Sequence, residues 1–169
     1  MEPITEQFFV YKPSAVANTF LLRAKEDGVF DIDQLKIQKL VYNLHGWHLA
    51  VTDEPAVGEM FEAWPMGPVL SSLYQKFKSY GKSKIDRYAK DIDPQTGEEK
   101  ALAIAPSDER FYKIFNAVWA RYKNFSGLQL SALTHAEGTP WSKARASGLQ
   151  YIDDDDIREH FIGLASKAA

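Results

Sequence analysis

The sequence predicts a mainly α protein: a single compact helical domain with a small β-hairpin or short sheet around residues 85–105. Three observations carry this prediction. Apolar residues recur at helical spacing in several segments, most clearly Leu35, Ile37, Leu40, Val41, Leu44, Trp47 and Val51. Capping side chains precede such stripes, and Gly or Pro follows them. Residues 85–105 differ, with two short runs, Ile85 to Ile92 and Lys100 to Ala105, flanking Asp93-Pro94-Gln95-Thr96-Gly97. Pro and Gly around a polar centre predict a hairpin or ordered loop there.

Taken in order, the chain opens with the apolar cluster Phe8-Phe9-Val10-Tyr11, an extended arm ended by Pro13. Ser14 is the expected cap of a first helix carrying Val16, Phe20, Leu21 and Leu22, which stops at Asp27-Gly28. Asp33 caps the second helix. Its wide stripe marks it as central to the core, and Gly46 within it suits a close helix crossing. Two prolines and a glycine in Trp64-Pro65-Met66-Gly67-Pro68 exclude regular structure there, before a helix with Val69, Leu73, Tyr74 and Phe77 that ends at Tyr80-Gly81. Ser107 opens a helix with Phe111, Ile114, Phe115, Val118, Trp119 and Tyr122 on one face. Ser126 and Gln129 have capping-box spacing for a short helix carrying Leu130 and Leu133, broken at Glu137-Gly138. Thr139-Pro140 starts another turn containing Trp141. Asp153 to Asp156 precede a final helix with Ile157, Phe161 and Leu164, placing carboxylates at the positive end of its dipole.

Composition narrows the function. The chain has 169 residues, 45% of them hydrophobic, enough for one core of its own over 1–169. A net charge of −3 gives no general drive toward nucleic acid or acidic membranes, and no basic reading helix supports a DNA-binding autoregulator. With no cysteine, a disulfide framework, a thiol nucleophile and cysteine-ligated metals are excluded. No apolar run approaches the roughly 20 residues of a membrane span. The N-terminus lacks a secretory pattern, so the chain reads as cytoplasmic.

Catalytic signatures are equally sparse. His45 and His48 can share a helical face, yet the acid of a zinc-protease helix is missing between them. The Asp153 to Asp156 run lacks the alternation and glycine of a calcium loop. Neither a phosphate loop nor a nucleophile elbow occurs. What remains is two corners, WPMGP and THAEGTPW, each joining aromatics to Gly or Pro. They read either as packed inter-helix joints or as rigid aromatic anchors for a partner.

The run Leu35-Lys36-Ile37-Gln38-Lys39-Leu40-Val41-Tyr42, followed by Gly46-Trp47-His48-Leu49-Ala50, resembles the Panacea domain of SocA-like antitoxins and phage-associated GepA-like proteins. The likeness continues through Glu62-Ala63-Trp64-Pro65-Met66-Gly67-Pro68-Val69, where the family carries EAW-x-x-GPV. It extends to Tyr74, Phe77 and Tyr80-Gly81, and returns at Leu133-Thr134-His135 with Pro140-Trp141; it is strongest over 15–145. This resemblance implies a phage-defence antitoxin that binds its cognate toxin directly, with no catalytic residues, metal or cofactor. It also implies chemically varied toxins, alarmone-synthetase-like ones among them, and delivery of toxin to a cytosolic protease. The shared motif is expected to maintain the fold, while the unmatched segments 1–14, 82–105 and the C-terminal helix set partner specificity. The candidate partner-binding residues are Phe8, Phe9, Tyr11, Trp64, Met66, Pro68 and Trp141. The competing class is a metal-dependent hydrolase that reverses the toxin's chemistry through His45, His48 and His135.

Overall fold

One helix organises the molecule, and its neighbours wrap it on nearly every side. The computed structural model describes residues 2–6 and 10–168. The central element is α2 (Gln34–Thr52), capped by the Asp33 carboxylate, which accepts from the Lys36 amide at 2.8 Å. Ile37, Leu40, Val41 and Leu44 are fully buried. Around α2 pack α1 (Pro13–Asp27), α4 (Glu109–Tyr122), α5 (Gly127–His135) and, most extensively, α7 (Asp154–Ala168). A helix enclosed in this way has to be apolar over most of its circumference. Gly46 marks the α7 crossing: a Cβ there would lie 2.1 Å from the Phe161 ring. The predicted stripe is buried along its middle and departs at both ends, with Leu35 only half-buried at the start. Trp47 is half-buried and Val51 is 67% exposed.

The N-terminal arm contributes β1 (Ile4–Glu6), paired in parallel with β6 (Leu102–Ile104). Phe8 and Phe9 lie outside the described residues. At α1 the expected Ser14 cap is corrected: Lys12 is the cap residue and Pro13 occupies the first helical position. Proline loses nothing there, because that amide has no helical acceptor. The Ser14 hydroxyl is buried and donates to Asp91 instead.

The largest correction concerns WPMGP, which forms a regular hairpin. Strands β2 (Glu62–Trp64) and β3 (Gly67–Val69) run antiparallel, with Trp64 opposite Gly67 and Ala63 opposite Pro68. Pro65 and Met66 make the two-residue turn, and Gly67 takes a φ of 114°, open to glycine alone at little cost. Pro68 breaks no ladder bond. Its partner Ala63 directs its own N–H away from β3, to the Gln150 carbonyl at 2.8 Å, so this is a non-hydrogen-bonded pair. Val69 therefore belongs to β3 and not to the following helix α3 (Ser71–Phe77), which tightens into a 3-10 turn, Lys78–Tyr80, before Gly81.

The predicted hairpin appears as β4 (Asp91–Ile92) against β5 (Glu99–Lys100), closed by the Asp93 turn and by Gly97 at a φ of 72°. Only the last two residues of the Ile85 to Ile92 run pair, as its poor alternation foreshadows. In α4 the cap is Asp108, one residue after the expected Ser107, and all six stripe residues are buried. Helix α5 has the predicted capping box, but Leu133 is 51% exposed and only Leu130 reaches the core. Thr139 caps α6 (Pro140–Ala146) with Pro140 first, as the sequence indicates.

Candidate functional site

The β2–β3 hairpin is fixed by side chains from three helices, each taking one of its carbonyls. Lys39 of α2, fully buried, donates from Nζ to the Pro68 carbonyl at 3.2 Å. Ser131 of α5 donates to the Met66 carbonyl at 2.6 Å. From α6, the Trp141 indole donates to the Trp64 carbonyl at 2.7 Å, and Arg145 to that of Ala63 at 3.1 Å. Gly67 lets the turn settle this low: a Cβ would come within 2.5 Å of Lys39 Cε and 2.8 Å of Thr134 Oγ1. Burial lowers the Lys39 ammonium to about pKa 7, with Asp33 opposing the shift.

Aromatic packing continues the clamp outward. Trp64 packs tilted against Tyr74, ring centres 4.9 Å apart, and His135 stacks on Trp141 at 4.0 Å with planes 16° apart. Arg145 lies 5.8 Å over the same Trp141 ring. Partial burial, with Lys39 and Arg145 nearby, lowers the His135 pKa and favours its neutral form. Met66, 48% exposed, projects from the turn, and His135 is exposed on its stack. The free edge of β2 is covered by the 150–152 segment, through Ala63 N–H to Gln150 and Ile152 N–H to Phe61, both 2.8 Å.

Four of the candidate residues therefore meet: Trp64, Met66, Pro68 and Trp141. Pro68 lies buried beneath, Trp64 and Trp141 are half-buried, and Met66 faces solvent. Tyr11 is elsewhere, in the core at 6% exposure, its hydroxyl donating to Asp108 at 2.7 Å. Burial and the Asp108 carboxylate hold that phenol well above its ordinary range. Ser131 and Arg145 belong to the corner without having been singled out by sequence, whereas Lys39 and Tyr74 were named there only within the family likeness and, for Tyr74, a helical stripe. Lys39 left a further trace, as a cation within the wide apolar stripe of α2.

The histidines of the hydrolase class occupy separate settings. His45 is enclosed, with Nε2 against Asp154 at 2.8 Å and Nδ1 accepting the Val57 amide at 3.3 Å. His48 Nδ1 meets the Glu54 carbonyl at 2.8 Å, and burial lowers its pKa. His135 belongs to the Trp141 stack. Among the described residues, no group of three or more His, Asp or Glu side chains is placed to hold a metal ion.

A family model described as antitoxin SocA-like, Panacea domain, matches residues 37–142, from within α2 to Trp141 and its neighbour, the hairpin included. Antitoxin SocA of Caulobacter vibrioides (strain NA1000 / CB15N) is 33% identical over 141 residues, covering 83% of this chain and 74% of that protein. No solved structure matches the chain. None of the described helices is long and apolar enough to cross a membrane. The hairpin clamped by α2, α5 and α6 lies within the matched span, and the chain belongs to the family of SocA-like antitoxins with a Panacea domain.

Proposed function

We propose that this chain is the antitoxin of a toxin–antitoxin pair, acting in the cytoplasm by direct protein–protein contact and without catalysis of its own. The observation that carries the reading is the family match over residues 37–142, which takes in the hairpin, Lys39, Ser131 and Trp141. The corner supports it physically. Its backbone is immobilised before any partner arrives, so binding costs little ordering entropy, and its rim offers Met66 beside aromatic rings. Trp64, Met66 and Trp141 are the proposed contacts, with Pro68 setting their height. Phe8 and Phe9 are the proposed contacts of the N-terminal arm, with the buried Tyr11 anchoring the arm's end in the core. An alarmone-synthetase-like enzyme is the toxin class proposed, and handover of bound toxin to a cytosolic protease is a proposed further step.

The test is co-expression with the product of the neighbouring gene, reading growth and complex formation together. Rescue with a stable complex is the expected result, and Met66→Asp should raise the dissociation constant about tenfold, or about 1.4 kcal/mol. Repeating the rescue in a strain lacking its cytosolic proteases separates blocking from degradation. Rescue without a detectable complex would sink direct neutralisation, and absence of rescue would sink the pairing.

A further inference from the structure

A groove lies apart from the hairpin corner. Between the C-terminal half of α2 and the solvent side of α4 runs a groove of about 730 Å³. Its floor is apolar. Ile114 and Val118 form the base at 6% and 2% exposure, and Val51 forms one wall at 67%. The smallest side chains, Ala117 and Ala120, stand exposed along the opposite wall and permit close approach of another backbone. Trp47 is held in place at one end, its indole donating to the Tyr122 hydroxyl at 3.1 Å and its ring under Arg121 at 5.2 Å.

The charged lining residues are Arg110, Lys113 and Arg121, and no carboxylate lines the groove among the described residues. On a chain whose net charge is −3, this concentrates cations around apolar surface. Arg110 is balanced from outside the groove by Glu54 at 3.0 Å. A guest there needs an apolar face flanked by negative charge. Both walls are helices, so no strand edge is available for backbone pairing, and a guest must satisfy its own amides. That requirement selects a helix. The lining from Arg110 to Arg121 corresponds to about three turns at 1.5 Å per residue.

We infer that this groove docks an amphipathic helix of the toxin, with apolar anchors at i, i+3 or i+4, and i+7 flanked by Asp or Glu. The inference rests on the antitoxin reading. A nucleic acid would answer the cations but leave the Ile114–Val118 floor without an apolar guest, so a protein helix is the better fit.

The experiment measures the affinity of the neighbouring gene's product for the full chain and for Lys113→Glu and Val51→Asp. Both residues are exposed, so thermal melting of the free variants should match the parent. Each variant is expected to weaken binding at least tenfold. Hydrogen exchange on the parent complex should show protection of the α4 face and of one acidic helix in the toxin. Affinities within twofold of the parent, with rescue intact, would overturn the groove and leave the antitoxin reading standing. If the parent itself neither binds nor rescues, the antitoxin reading fails and this inference fails with it. Two further results would also overturn it: dimers of the free chain that Val51→Asp dissociates, which would assign the groove to a second copy, or a single-stranded oligonucleotide whose binding is lost in Lys113→Glu while toxin affinity is unchanged.

Discussion

At Lys39 a cation sits where water does not reach, with the Pro68 carbonyl 3.2 Å from its nitrogen. Its pKa falls from 10.5 in the unfolded chain to about 7 in the fold. Between these values the unfolded state binds more protons, so stability rises as pH increases from about 7 toward 10.5, by up to about 1.4 kcal/mol per pH unit. Urea unfolding at pH 7 and pH 9 should show this gain, and Lys39→Met should flatten it. A parent whose stability is level over that interval would contradict the assignment. Trp141 permits a second test. Trp141→Phe keeps a ring beneath His135 but removes the donor to the Trp64 carbonyl, at an expected cost of about 1–3 kcal/mol in denaturant unfolding.

At the scale of elements, propensity and packing disagree at Gly46, and magnitudes decide between them. Alanine would improve α2 by about 1 kcal/mol as an isolated helix. Its Cβ would fall inside the Phe161 ring's van der Waals envelope, so α7 must move or strain, at about 1–3 kcal/mol or more. Gly46→Ala is therefore expected to destabilise, and Phe161→Leu should recover part of the loss in a double-mutant cycle, since the two positions share one contact. The helices themselves were legible because their signals are local: stripes at helical spacing, and caps such as Asp33, Ser126 and Thr139 within three residues of the amides they satisfy. The corner was only half legible. The sequence located its aromatics, but the bonds that fix it join residues 29 and 77 positions apart, Lys39 to Pro68 and Trp64 to Trp141. The hairpin was misread for a related reason. Proline is harmless in a strand only at a non-hydrogen-bonded position, and here the sign of that position is that Ala63, opposite Pro68, turns its N–H to Gln150, 87 positions further along the chain.

For the molecule as a whole, the β4–β5 hairpin is a peripheral addition, with Ile92 67% exposed and its turn stabilised from within by Asp93. Replacing Asp93–Glu98 with Asn-Gly should leave the melting temperature within about 2–4 °C, since loop length enters folding entropy only logarithmically. A collapse of the melting transition would show that this hairpin is part of the core. The enclosure of α2 has a consequence for how the protein comes into being. Residues 34–52 leave the ribosome well before residues 154–168, yet α7 is the neighbour that covers α2 most fully. At about 5–20 residues per second, the nascent chain spends several seconds with the Gly46 side of its central helix bare. A polypeptide halted in that interval shows an uncovered apolar face to cellular quality control. Cover for that face comes only once synthesis has passed Phe161, the residue that packs on Gly46.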